Sequence, residues 1–271
     1  MTLTGLMKHA LAAFAVVALA ACETVQTTES GMVGVEREQR MAISAEALEQ
    51  AADQQYAEII AEARQKGILN RDPAQVARVR RVVERLIPQT TYFRPDARNW
   101  NWETNVLDMP EANAWAMPGG KIAVYSGLIE QLNLTDAELA AVLGHEISHA
   151  LREHARERAS EQMFARGAIS IGAALFGLGD VAQQGAEMAY MGLLGLPNSR
   201  QQETEADRIG VELAARAGYD PRAAVSLWEK MGQIGGASPP EFLSTHPPRE
   251  DRLSDLRVYA QRVMPLYQQA R

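Results

Sequence analysis

Among 271 residues there is one cysteine, Cys22. The chain has no second thiol for an intrachain disulfide, and a metal site elsewhere in it must be built from histidine and carboxylate. Runs of like charge are also missing, and the formal net charge of -7 argues against a nucleic-acid partner. No apolar run reaches the ~20 residues of a membrane-spanning helix. Ala10 to Ala21 is too short, and the Gly-rich stretch from Ala165 to Leu196 is interrupted by Asp180 and Gln183-Gln184. No internal repeat marks a helical array. What remains, 46% hydrophobic and 23% charged, is the composition of a globular protein, long enough for one large domain or two small ones.

The first residues have their own pattern. Lys8 and His9 precede the apolar run, which has the length of a signal-peptide core. It ends Leu19-Ala20-Ala21-Cys22, similar to the lipobox of bacterial lipoproteins. That resemblance implies cleavage after residue 21 and a diacylglycerol on Cys22. With Glu23 next, it implies an outer-membrane address facing the periplasm. Residues 22–35, mostly Thr, Gln, Ser and Gly, read as a tether, and 36–271 as the globular part.

From about Glu36 to Lys66 a helical stripe of Met41, Leu48, Ala52, Ile59 and Ile60 stops at Gly67. Asp72-Pro73 is an N-cap with proline at the first helical position, and Val76, Val79, Val83, Leu86 and Ile87 continue a second face to Pro88. Trp100 to Leu107, Ala114 to Met117 and Lys121 to Tyr125 read as strands, the last two joined by a turn at Pro118-Gly119-Gly120. Trp100, Trp102 and Trp115 are expected to pack core or sheet. After Gly127 the pattern is helical, so the fold class is α+β, mostly helical with one small sheet. The stretch 165–196 is expected to form two packed helices acting as a lid.

His145-Glu146-Ile147-Ser148-His149 places two histidines at i and i+4, one turn apart on one helix face, so both can reach one metal ion. Glu146 then projects beside the metal, where it can take a proton from an activated water. Thr135-Asp136-Ala137-Glu138 is a capping box for that helix. Downstream, Ser199 with Gln202 is a second capping box, which puts Glu203 in the first turn of another helix and Asp207 one turn further on the same face. The arrangement suits a zinc ligand at Glu203 and a supporting carboxylate at Asp207 that orients a ligand histidine. His154, five residues beyond His149 and among Arg152, Glu153, Arg156 and Glu157, reads as part of a solvated face.

HEISHALREHARERAS, RQQETEADRIGVELAARAGYDPRAA and FLSTHPPREDRL together resemble the zinc metallopeptidases that include HtpX, the mitochondrial Oma-type proteases and the CAAX prenyl proteases, over about Gln75 to Arg257. The soluble lipoprotein members are closest in plan. The resemblance implies one zinc per chain on His145, His149 and Glu203, with Glu146 as base. Glu205, between two motif positions, is not carried over. In related periplasmic proteases a histidine in the setting of Thr245-His246-Pro247-Pro248 approaches the zinc, which implies for His246 either a fourth ligand that keeps the enzyme latent or a stabiliser of the oxyanion. An extended substrate is expected to pair with the strand Asn113, Ala114, Trp115, Ala116 and Met117. The expected activity is endopeptidase cleavage of misfolded or unassembled envelope proteins. The alternative is a chaperone-like assembly lipoprotein whose zinc is structural.

Overall fold

The structure is a computed structural model that describes residues 23–176, 198–234, 241–247 and 250–271, with the backbone alone at 23, 166–176 and 241. Its helices begin where side chains can satisfy the first free amides. Ser44 accepts from Ala47 N at the head of α1 (Ala45–Gln65), and Asp72 accepts from Ala74 N and Gln75 N at the head of α2 (Pro73–Leu86), where the proline sacrifices no hydrogen bond. Val79, Val82, Val83 and Leu86 line the buried side of α2. Two 3-10 turns, Ile87–Tyr92 and Pro95–Asn99, lead into the sheet.

That sheet has three strands: β3 (Glu103–Leu107), β4 (Ala114–Met117) and β5 (Lys121–Tyr125), in the order β3-β5-β4. The hairpin makes β4 and β5 antiparallel, while β3 pairs with β5 in parallel. Ile122, Ala123 and Val124 of the central strand are wholly buried, and β4 is left at an edge. Gly119 and Gly120 turn the hairpin with φ of +77 and +89, which residues with a Cβ rarely adopt. At Gly120 a Cβ would also lie 2.8 Å from the Trp102 ring, so the glycine lets the indole cover the turn. Trp100 and Trp102 precede β3 rather than belonging to it, and both pack against the core as expected. Trp115 meets Tyr56 of α1 edge to face, with 5.9 Å between ring centroids.

The rest is helical: α3 (Ser126–Gln131), α4 (Asp136–Leu151), α5 (His154–Phe176), α6 (Arg200–Arg216), α7 (Ala223–Gln233), α8 (Glu241–Thr245) and α9 (Arg252–Gln269). α4 is buried on every side from Glu138 to Leu151, so its polar residues sit inside the core. It packs along α6, and the two backbones meet at a pair of glycines. A Cβ on Gly144 would stand 2.8 Å from Gly210 O, and one on Gly210 would stand 2.7 Å from His145 N. This close crossing brings the first turns of α6 within side-chain reach of His145.

Two expectations need correction. Residues 23–34 are packed rather than a free tether. β1 (Glu23–Val25) pairs with β2 (Gln39–Met41), Glu29 N donates to Phe93 O, and Val33 N donates to Glu212 Oε2. Val33 is buried and anchors this polar segment, a burial its composition does not advertise. The second correction concerns His154 and is taken up with the site. Cys22 and the signal-like residues lie outside the described residues, as does the proposed lid from residue 177 to 196. No described helix is long and apolar enough to cross a membrane.

Candidate metal centre

Both capping boxes form. Glu138 N donates to Thr135 Oγ1 and Thr135 N donates to Glu138 Oε2, and Ser199 with Gln202 repeats the exchange at α6. With both helix starts set and the glycine crossing between them, four side chains converge. His145, His149, Glu203 and His246 each offer one donor atom within 4.8 Å of the others, and all four are buried. His145 Nε2 lies 3.1 Å from His149 Nε2 and 3.1 Å from His246 Nδ1. Glu203 Oε1 lies 2.9 Å from His246 Nδ1 and 3.3 Å from His149 Nε2, and its Oε2 lies 3.5 Å from His145 Nε2.

These separations fit a zinc ion. Bonds of about 2.0–2.1 Å in a tetrahedron place neighbouring donors roughly 3.3 Å apart. The proton arrangement fits as well. His149 Nδ1 lies 2.8 Å from His154 Nδ1, and His145 Nδ1 faces Asp207 Oδ1 at 3.0 Å, a carboxylate that favours a proton on that outward nitrogen. The inward nitrogens then face one another as bare lone pairs, an arrangement that a shared cation relieves.

The carboxylates are held differently. Burial opposes the charge on Glu203, but the surrounding His145, His149 and His246 rings outweigh it and hold the carboxyl far below the usual range. Burial raises the Glu146 carboxyl, with His246 and His145 opposing only in part. Glu146 Oε1 makes no hydrogen bond among the described residues and faces His246 Nε2 at 3.3 Å. A desolvated carboxylate with an unused oxygen is suited to accept a proton.

His246 is buried. It follows α8 directly, its backbone N donates to Phe242 O, and its ring stacks on Phe242 with centroids 4.3 Å apart. Asn113, Trp115, Ala116, Glu146, His149 and His246 line a cleft beside the cluster, so the edge strand and the donor set share one wall. Ala114 lines it too, whereas Met117 sits at the far end of β4.

His154 is wholly buried, contrary to the solvated face expected. α4 ends at Leu151, Glu153 takes a positive φ of 51, and α5 starts at His154, so the helix breaks there and the His154 ring meets His149. Its Nε2 lies 3.2 Å from Glu205 Oε2. Burial holds the His154 pKa down to about 4, leaving the ring neutral. Glu205 in turn accepts from Arg152 Nε and Arg37. Sequence reasoning also missed Arg252, whose buried guanidinium lies 3.2 Å over the Trp228 ring. It donates to Glu203 Oε2 at 3.1 Å and to Asp207 Oδ1 at 2.7 Å. Nothing local marks these residues, because their partners are distant in sequence.

The model of Peptidase family M48 matches residues 73–260. The chain is 38% identical over 152 residues to the mitochondrial metalloendopeptidase OMA1 of Arabidopsis thaliana, covering 56% of this chain and 30% of that protein. To OMA1 of Schizosaccharomyces pombe it is 38% identical over 162 residues, 58% of this chain and 46% of the relative. To the β-barrel assembly-enhancing protease of Escherichia coli K12 it is 33% identical over 174 residues, 61% of this chain and 36% of the relative. The matched region thus spans less than half the length of each of these relatives. With the family match covering most of the chain and a zinc-compatible donor set at its centre, the chain belongs to Peptidase family M48, the zinc metallopeptidases.

Proposed function

We propose that the chain is a zinc endopeptidase of the bacterial envelope that cleaves misfolded or unassembled proteins. The observation that carries this reading is Glu146: a buried carboxylate, one oxygen unused, beside a cluster of three imidazoles and a second carboxylate, and sharing one cleft with His149 and His246 of that cluster. His145, His149 and Glu203 hold the metal, and Asp207 fixes His145. When bound, zinc supplies Lewis acidity, acidifying water and polarising a scissile carbonyl. Glu146 accepts the proton of the attacking water and delivers it to the leaving amine. The outer edge of β4 pairs with an extended substrate through main-chain hydrogen bonds, which give affinity with little sequence dependence. Such recognition suits unfolded clients. The envelope address rests on the lipobox-like Cys22 and on the kinship with the β-barrel assembly-enhancing protease, while the OMA1 relatives are mitochondrial.

His246 acts as a latch. Its Nδ1, not only its ring edge, points into the donor set. A fourth protein donor there occupies the position a catalytic site keeps open. The same observation favours the second reading, a closed structural zinc in an assembly lipoprotein. Degradation of casein by the chain from Glu23 onward separates them. The wild type should cleave, Glu146→Gln should keep zinc and lose about 10²–10⁴-fold in rate, and His246→Ala should cleave faster with weaker zinc. A slower His246→Ala with unchanged zinc points to an oxyanion role, and no cleavage by wild type or His246→Ala supports the structural reading.

A further inference from the structure

The Glu205 side of α6 forms a second support for the metal centre. The hydrogen-bond directions follow from the inward nitrogen. With His149 Nε2 turned to Glu203 and His145, His149 Nδ1 carries the proton and donates to His154 Nδ1 at 2.8 Å. The His154 proton is then on Nε2, which donates to Glu205 Oε2 at 3.2 Å. Glu205 is fixed by two guanidiniums. Arg152 Nε donates to its Oε2 at 2.9 Å, and Arg37 reaches both of its oxygens while also gripping Glu157. Arg37 lies between β1 and β2, ahead of the region the family model matches. Arg152 ties the chain at Arg37 down further, donating to Arg37 O at 2.8 Å and to the Thr27 and Thr28 hydroxyls.

We propose that His154 and Glu205 are positioning residues that orient His149 toward the metal through a His149–His154–Glu205 hydrogen-bonded chain, anchored by Arg37 of the N-terminal segment. The proposal rests on His149 being a metal ligand. A carboxylate at the far end fixes the ring orientation and tautomer and makes the inward nitrogen a better donor, as outer partners of ligand histidines do. The interposed imidazole carries that effect across a distance Glu205 cannot span alone. It also couples residues 27–41 to the metal, so the segment that leads from the proposed lipid site bears on the zinc affinity.

The test is zinc affinity of the full chain by chelator competition, together with the visible spectrum of the cobalt(II) form. His149→Ala is the reference: if it keeps wild-type affinity, the ligand assignment itself fails. With that reference behaving, His154→Leu should weaken zinc by about 10–100-fold and shift the cobalt bands. His154→Asn retains an acceptor toward His149 and should recover part of both. Glu205→Gln and Arg37→Ala should each cost a few-fold. Thermal melts of the metal-free variants report the fold separately. A merely structural role for His154 predicts equal affinity for the Leu and Asn variants once both are folded, and that equality, or wild-type affinity in His154→Leu, overturns the proposal.

Discussion

The two imidazoles of α4 are supported in opposite ways by one helix. On the Asp207 side, a carboxylate touches the His145 ring directly, and one buried guanidinium, Arg252, holds that carboxylate and Glu203 together. On the Glu205 side, the carboxylate acts at one remove through His154 and shares its charge with Arg152 and Arg37. Burial opposes the charge on both carboxylates; the hydrogen bond from His154, with Arg37 and Arg152, holds Glu205 down at about 2, and Arg252 with His145 holds Asp207 below the usual range. The direct side is compact and drawn from the catalytic region. The indirect side recruits the N-terminal segment. A charge in contact with the ligand ring acts strongly, whereas one shared among several cations and reached through a neutral ring acts less.

Removing the ligands themselves erases the comparison and gives the largest effect. His145→Ala and His149→Ala should each drop the metal content from about one zinc per chain towards zero. Metal analysis of the purified variants checks this, and full zinc in either contradicts the site. Next comes the comparison itself. Asp207→Asn should weaken zinc by about 10–100-fold, more than Glu205→Gln does, because the lost charge touches the ligand ring. Chelator competition on both variants decides it, and the reverse order would show that the indirect support dominates. The smallest effect treats both sides alike. Gly210→Ala forces a Cβ against His145 N at the helix crossing, and overpacking of this kind costs about 1–3 kcal/mol. Denaturant unfolding of the metal-free protein measures it, and an unchanged midpoint means the backbones part without strain.

Much of the site was legible because it is local. The i, i+4 spacing of His145 and His149 needs only a helix, and Thr135 with Glu138 supplies its start. Ser199 with Gln202 did the same for α6, which put Glu203 and Asp207 on one face. The hairpin glycines marked their turn, since few other residues accept that φ. His154 was misread because the break before it is made by Glu153, a residue whose left-handed backbone has no glycine to announce it.

The amino-acid sequence by itself determined the helices, the hairpin, the motif spacings and a chemistry limited to histidine and carboxylate. Tertiary structure alone decided the rest. The parallel pairing of β3 with β5 left β4 at the edge beside the cleft, although β4 falls between them along the chain. The glycine crossing set how far Glu203 and Asp207 reach, and the helix break after Leu151 set what lies behind His149. Val33 pinned the N-terminal segment to the core and so carried Arg37 to Glu205. Each of these joins residues far apart in sequence through burial and hydrogen bonding, interactions that exist only once the chain has closed on itself.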